Sequence, residues 1–438
     1  MSNNKKVHRY WSLYDWANSA YNLVITSTIF PAYYIAVTTS NDGSDKVAFF
    51  GIEFINSALL NYSIAFAYFI IAIFSPILSS IADVKGNKKK YMQMFSTIGA
   101  ISCSSLFFFT PDRIEIGIIF SMLAALGYCG SLVFYNAFLP EIATPDEQNK
   151  VSAQGFAYGY IGSVLLQLIC LGFLFYNFSD DTLGARISFL LVGIWWLIFA
   201  QISIGGLPQN VAKSSNGTDV SIWQKGFVEL RKVWSEIKQY VLLKRYLSAF
   251  FFYSMGVQTV MLAAAEFGKK EVVKLDENLN EIPLETNELV IAILLIQLVA
   301  IVGATVLARL GNKFGNIKVL IGVLIIWIGI CCSAYFVRYV VEFYLLAAVV
   351  GLVMGGIQSM SRSTYSQLIP PTTKDITSYF SFYDVTEKLA IVIGMFTFGL
   401  IEHLTGNMRM AIFGVTAFFV MGLMLLIWAR IAERNLKH

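Results

Sequence analysis

Charge is scarce in this sequence. Of 438 residues, 14% are Asp, Glu, Lys or Arg, against roughly a quarter in a soluble domain. So few charges cannot cover a water-facing surface. Histidine is rarer still: His8, His403 and His438 stand far apart, which argues against a metal cluster. All five cysteines (Cys103, Cys129, Cys170, Cys331 and Cys332) fall inside apolar runs and no CxxC occurs. Neither a disulfide framework nor a thiolate metal site is expected. The net charge of +4 comes with no phosphate-tracking basic block, so nucleic acid is not an expected partner. HExxH, GxSxG and a nucleotide-binding loop are lacking, and no helix is expected to hold a histidine. An enzyme, a cofactor and direct drive by ATP are therefore not expected. The first apolar run has no small-residue cleavage pattern, so signal-peptide removal is not expected either.

Apolar residues make up 56% of the chain and aromatics 15%, with a mean hydropathy of +0.63. This composition predicts an integral membrane protein. A spanning helix needs about 20 apolar residues, and twelve runs qualify: 11–38, 54–81, 91–109, 115–139, 151–176, 185–206, 246–268, 287–310, 317–337, 341–369, 376–401 and 409–430. Barrel strands would be shorter and alternating, so the fold class is all-α. Placing the N-terminus inside puts 22 Lys and Arg on that side and 8 on the other, which predicts cytoplasmic termini. The longest connection divides the spans into a six-helix bundle over 1–206, a cytoplasmic linker over 207–245 and a second six-helix bundle over 246–438. Within the linker, Lys213-Ser214-Ser215-Asn216-Gly217 reads as a flexible stretch. Trp223, Phe227, Leu230, Trp234, Ile237 and Val241 then mark one face of a helix, with Lys225, Arg231, Lys232 and Lys238 elsewhere on it. Such a helix lies either on the inner membrane surface or against the bundle.

The halves repeat weakly. Asp83-Val84-Lys85-Gly86-Asn87 closes the second run and Asn312-Lys313-Phe314-Gly315-Asn316 the eighth, 229 positions later. Tyr135…Pro140 and Tyr365…Pro370 end the fourth and tenth runs 230 positions apart. Two matches at nearly one offset predict pseudo-symmetric bundles.

Polar residues inside such runs need a cavity or a partner. Asp15, Asn18 and Asn22 are spaced for one face of the first helix, although the run is long enough to leave Asp15 at headgroup depth. Asp83 can cap a neighbouring helix or meet a base, Gly86 permits a tight turn, and the lysines from Lys88 onward suit anionic headgroups. In the tenth run, Gly351 and Gly355 form a packing face, while Gln358 and Arg362 share a side. Arg362 lies eight residues before Pro370, about 12 Å from the helix end, so it holds either a solute anion or a protein carboxylate. The eleventh run carries Asp384, Glu387 and Lys388; Asp384 and Lys388 are spaced to pair, and Glu387 can answer Arg362. Tyr135 and Asn136 in the fourth run and Gln258 in the seventh are further candidate solute contacts. Each can equally be an ordinary interhelical hydrogen bond.

The loop Ser79-Ser80-Ile81-Ala82-Asp83-Val84-Lys85-Gly86-Asn87-Lys88 resembles the major facilitator signature between helices two and three, with Ser79, Val84 and Asn87 departing from it. Tyr14-Asp15-Trp16-Ala17-Asn18-Ser19-Ala20, Tyr135-Asn136-Ala137-Phe138-Leu139-Pro140 and Gly355-Gly356-Ile357-Gln358-Ser359-Met360-Ser361-Arg362-Ser363 resemble a branch of that superfamily. This branch is related to the fungal vacuolar amino-acid effluxer of autophagy and includes many bacterial members. The resemblance implies a twelve-helix alternating-access transporter with amino acids as the leading substrate class. Asp83, Gly86 and Lys88 then belong to a cytoplasmic gate. Helix eleven departs from the branch at Glu387 and agrees at Lys388. The expected protein is a monomeric secondary transporter of a small polar solute, an amino acid or short peptide, in a bacterial plasma membrane. Proton coupling through Asp384 or Glu387 is open. A non-transporting receptor or scaffold, and a lipid-modifying membrane enzyme, are the alternatives.

Overall fold

The computed structural model describes residues 2–39, 45–176, 178–209, 222–275 and 280–435; the linker stretch 213–217 lies outside them. Every predicted apolar run forms a helix. In chain order these are α1 (Ser2–Ala20) with α2 (Ile29–Thr38), α3 (Asn56–Lys85), α4 (Lys88–Ser105), α5 (Ile114–Asn136), α7 (Pro145–Phe175), α8 (Leu183–Gly206), α10 (Val241–Glu271), α11 (Thr286–Phe314), α12 (Asn316–Ala334), α13 (Val340–Leu368), α14 (Ile376–Thr405) and α15 (Met408–Asn435). The short α6 (Leu139–Ile142) and the linker helix α9 (Ile222–Gln239) complete the helices. Among the described residues, ten helical segments are long and apolar enough to cross a membrane by length and composition. The two remaining runs form α4, which opens on three lysines, and α14, which carries Asp384, Glu387 and Lys388.

Three expectations need correction. Residues 54–55 begin no helix: β1 (Lys46–Phe49) and β2 (Ile52–Ile55) form an antiparallel hairpin around Phe50 and Gly51, both at positive φ. A second small hairpin pairs β3 (Val273–Leu275) with β4 (Glu281–Pro283). Helices also outrun their apolar cores, so His8 lies in α1 and His403 in the last turn of α14.

Between α1 and α2 the helix widens to π geometry over Tyr21–Thr28. The cause lies three residues downstream of Thr28. Pro31 has no amide hydrogen and its ring crowds the carbonyl four residues back, at Ser27. Ser27 Oγ and Thr28 Oγ1 instead donate to the Asn22 and Leu23 carbonyls, at 2.9 and 2.7 Å. The α-helical spacing that aligned Asn22 with Asp15 and Asn18 is therefore not kept past Ala20.

The chain forms two compact units. One comprises Met1–Phe138, Tyr158–Leu230 and Lys374–Ser381. In it α4 packs against α5 and α8, α1 against α8, and α3 against α5. Gly159 and Gly162 of α7 leave room for Ser19 and for the Trp16 backbone and ring. The other unit comprises Leu139–Ala157, Arg231–Thr373 and Phe382–His438. Here α11 packs along α13, and α10 along α15. A Cβ on Gly351 or Gly355 would strike the Ile296 or Ala300 carbonyl, so the predicted packing face is used as backbone-to-backbone contact.

Candidate functional site

In the first unit the polar face of α1 is buried. Asp15 is 5% exposed, and its Oδ2 accepts a 2.8 Å hydrogen bond from Tyr135 Oη. The Tyr135 carbonyl in turn accepts from Trp11 Nε1 at 3.0 Å, and the Tyr135 ring stacks on Trp11 at 4.4 Å and meets Tyr14 at 4.9 Å. The aromatic cage explains how a carboxylate is tolerated there: it is hydrogen-bonded and shielded from lipid. Asn18 is buried beside it, and its Nδ2 has no hydrogen-bond partner among the described residues. Asn22 lies in the π segment and Asn136 ends α5; both are half-buried.

The turn after α3 is also built in this unit. Gly86 takes the left-handed conformation at φ 62° and caps the helix, as its position predicts. Asp83 caps the start of α14: Oδ1 accepts from the Thr377 amide at 3.1 Å, and Oδ2 from the Ser378 amide and hydroxyl at 2.7 and 2.8 Å. A carboxylate on unsatisfied amides at a helix N-terminus is favoured by charge-assisted bonding and by the helix dipole. Lys88 corrects its expectation. It is 2% exposed rather than at the headgroups, donating to the Ala137 carbonyl at 3.1 Å with its ammonium 4.2 Å from the Phe138 ring.

In the second unit α14 joins α10. Lys388 Nζ lies 3.5 Å from Asp384 Oδ1 and 3.3 Å from Glu387 Oε2, and Gln258 of α10 donates to Glu387 Oε1 at 3.1 Å. Asp384 and Lys388 are buried, and Asp384 Oδ2 has no hydrogen-bond partner among the described residues. Two carboxylates thus share one ammonium. Glu387 meets Gln258 and Lys388, so its expected pairing with Arg362 is not made.

Arg362, 3% exposed, holds the start of α7. Its Nε donates to Ser152 Oγ at 3.0 Å and its Nη2 to the Ser152 carbonyl at 2.9 Å. The guanidinium covers the Phe156 ring at 4.3 Å, a cation–π contact of a buried charge. Ser152 Oγ passes the chain on to the Ser359 carbonyl at 2.7 Å. Gln358 donates to Met261 Sδ at 3.5 Å. The site residues therefore gather in separate groups: Asp15 with Tyr135 in the first unit, and Gln258 with Asp384, Glu387 and Lys388 in the second.

One polar cluster was not anticipated. Asn149 of α7 donates to Asn312 Oδ1 at 2.7 Å and to Asn316 Oδ1 at 2.6 Å, and Asn316 donates back to Asn149 Oδ1 at 2.9 Å. Gln367 Nε2 adds a 3.2 Å bond to Asn149 Oδ1. These residues line a cavity of about 410 Å³ with Asp146, Thr364 and Glu433. The internal repeat held the signal: the offset of 229 carries Asp83 to Asn312 and Ser378 to Asn149.

Comparison with known proteins agrees with this architecture. The family model described as "Vacuole effluxer Atg22 like" matches residues 3–436. The MFS-type transporter YxiO of Bacillus subtilis is 30% identical over 421 residues, covering 95% of this chain and 93% of its own. Autophagy-related protein 22 of Kluyveromyces lactis is 25% identical, with 77% and 71% covered. Among solved structures, the Escherichia coli fucose:proton symporter FucP superposes with a TM-score of 0.69 at 14% identity, with 98% of each chain covered. The human organic anion transporter MFSD10 gives 0.72 at 11% identity, covering 97% of this chain and 99% of that one. At these identities the structural matches concern the fold.

Proposed function

Because the chain belongs to the Atg22-like family of major facilitator transporters, we propose that it is a secondary active carrier of a small polar solute, an amino acid or short peptide, working by alternating access. Its repeats, residues 1–206 and 246–438, open the path to one side of the membrane at a time. The chain acts as a monomer in a bacterial plasma membrane with both termini in the cytoplasm. The amides of Asn18, Asn22, Asn136, Gln258 and Gln358 and the phenol of Tyr135 are the solute's hydrogen-bonding partners. Arg362 exchanges its hold on Ser152 for the solute carboxylate. Asp83, Gly86 and Lys88 form the cytoplasmic gate, and Asp15 orients the Tyr135 phenol that it accepts from.

One observation carries the coupling: buried Asp384 and half-buried Glu387 share the ammonium of Lys388, and Asp384 Oδ2 lacks a hydrogen-bond partner among the described residues. An unbalanced buried carboxylate is costly. A proton or the ammonium of the solute would neutralise it, and its arrival and departure would tie charge to conformation.

The test is uptake of a panel of amino acids and dipeptides into liposomes holding the purified protein, with and without an imposed pH gradient. Asp384→Asn and Glu387→Gln should abolish the response to the gradient while leaving solute exchange measurable. Full gradient-driven uptake by both variants would overturn the coupling. Unimpaired transport by Arg362→Gln would remove that residue from the solute site.

A further inference from the structure

The linker helix α9 has no role in the transport reading, yet its surface is unusual. Val233 and Ile237, in the part of the helix that belongs to the second unit, are buried, at 0% and 2% exposure. A separate line along the helix, at steps of four, three and four, holds Phe227, Arg231, Trp234 and Lys238, all exposed. Aromatic and cation alternate along it, and Lys238 Nζ stands 5.0 Å from the Trp234 ring. Val228, 67% exposed, adds apolar surface beside the line. Lys232 lies farther round, in an exposed pair with Glu236 at 3.9 Å. Residues 222–245 contain six basic and two acidic side chains, an excess equal to the net charge of the whole protein.

Rings flanked by cations match the boundary between acyl chains and anionic headgroups: the rings enter the apolar margin and the cations meet phosphate. Charge complementarity therefore selects an anionic phospholipid leaflet as the occupant of this face.

The same face touches the charged helix. Trp234 stacks on Phe382 of α14, with centroids 5.5 Å apart and planes 23° from parallel. Phe382 stands two residues before Asp384. We propose that α9 is a sensor of anionic phospholipid, and that the Trp234–Phe382 stack carries its occupancy to α14 and the Asp384–Glu387–Lys388 network. Lipid binding stands independently of the transport reading; the regulation of transport rests on it.

The experiment is hydrogen–deuterium exchange of the full chain in vesicles of phosphatidylcholine alone or with phosphatidylglycerol, at low and high salt. With phosphatidylglycerol, amides of α9 should exchange about tenfold more slowly, and the effect should fade as salt screens the cations. The triple variant Arg231→Gln, Lys232→Gln, Lys238→Gln should lose this response while the rest of its exchange pattern stays unchanged. Equal protection of α9 in both lipids would overturn the sensor. Trp234→Ala should keep a lipid response in α9 and lose the one at residues 378–388; an unchanged response there would overturn the coupling through the stack. Neither readout requires a known solute, so a failed transport assay leaves both outcomes legible.

Discussion

The turn that ends α3 and the turn that ends α11 both stop at a positive-φ glycine, but they differ in backbone conformation, with ψ 33° at Gly86 and 139° at Gly315, and in chemistry. Gly86 and Gly315, 229 positions apart, both take positive φ, 62° and 91°. In the first turn Asp83 places a carboxylate on two backbone amides and a hydroxyl at the start of α14. In the second, the residue corresponding to Asp83 is Asn312, which meets Asn149 near the start of α7 as part of a neutral amide cluster. The carboxylate is acceptor-only and relies on the helix N-terminus for all of its donors. The amides are donors and acceptors together and satisfy one another. A repeated sequence has thus kept a positive-φ glycine at the turn and diverged both in the path of the chain through it and in how it fastens a helix start.

Substitutions can break this contrast. Asp83→Ala should have the largest effect, about 3 kcal/mol of stability lost, because it removes charge-assisted bonds and leaves helix-terminal donors unpaired. Thermal or denaturant unfolding of the purified protein in one detergent measures it. Asn149→Ala should cost about 2 kcal/mol in the same assay, since it deprives Asn312, Asn316 and Gln367 of a common partner. Asp83→Asn should cost about 1.5 kcal/mol: the amide oxygen still accepts, but the charge is lost and the second acceptor becomes an NH2 facing a backbone N–H. If Asp83→Asn were as damaging as Asp83→Ala, the charge and the second acceptor oxygen together would account for the first turn.

The smallest effect is a pH control away from both turns. Hydrogen bonds that the Lys274 ammonium donates to Glu288 and then Glu285 raise it above its ordinary range. Raised in the folded state, it adds stability that is present in full below its unfolded pKa and is lost as pH rises through the folded one. Melting of the protein between pH 9 and 12 should therefore show a shallow decline that Lys274→Met reduces. The pair is solvent-screened, so this decline should be smaller than the loss in any of the turn variants.

Parts of the site were legible because spacing alone dictates them. Asp384 and Lys388 are one helical turn apart and do pair; Gly351 and Gly355 do accept a neighbouring backbone. Lys88 was misjudged because its sequence context, a lysine run after a helix, reads as a headgroup anchor. Its burial depends on the Ala137 carbonyl and the Phe138 ring, 49 and 50 positions away. Arg362 likewise gave no hint of Ser152, which lies 210 positions earlier and carries no charge to suggest a partner.

From composition and periodicity alone came the membrane-spanning all-α class, the helices and the turn at Gly86, since these follow from hydrophobic length and backbone sterics within a few residues. The repeat added the correspondence of the two turns. Only the folded chain decided which group hydrogen-bonds which: Asp15 with Tyr135, Asp83 with the start of α14, Arg362 with Ser152. In a dry interior a polar group must find some partner, and sequence states that need without saying which of many distant donors packing will bring within 3 Å.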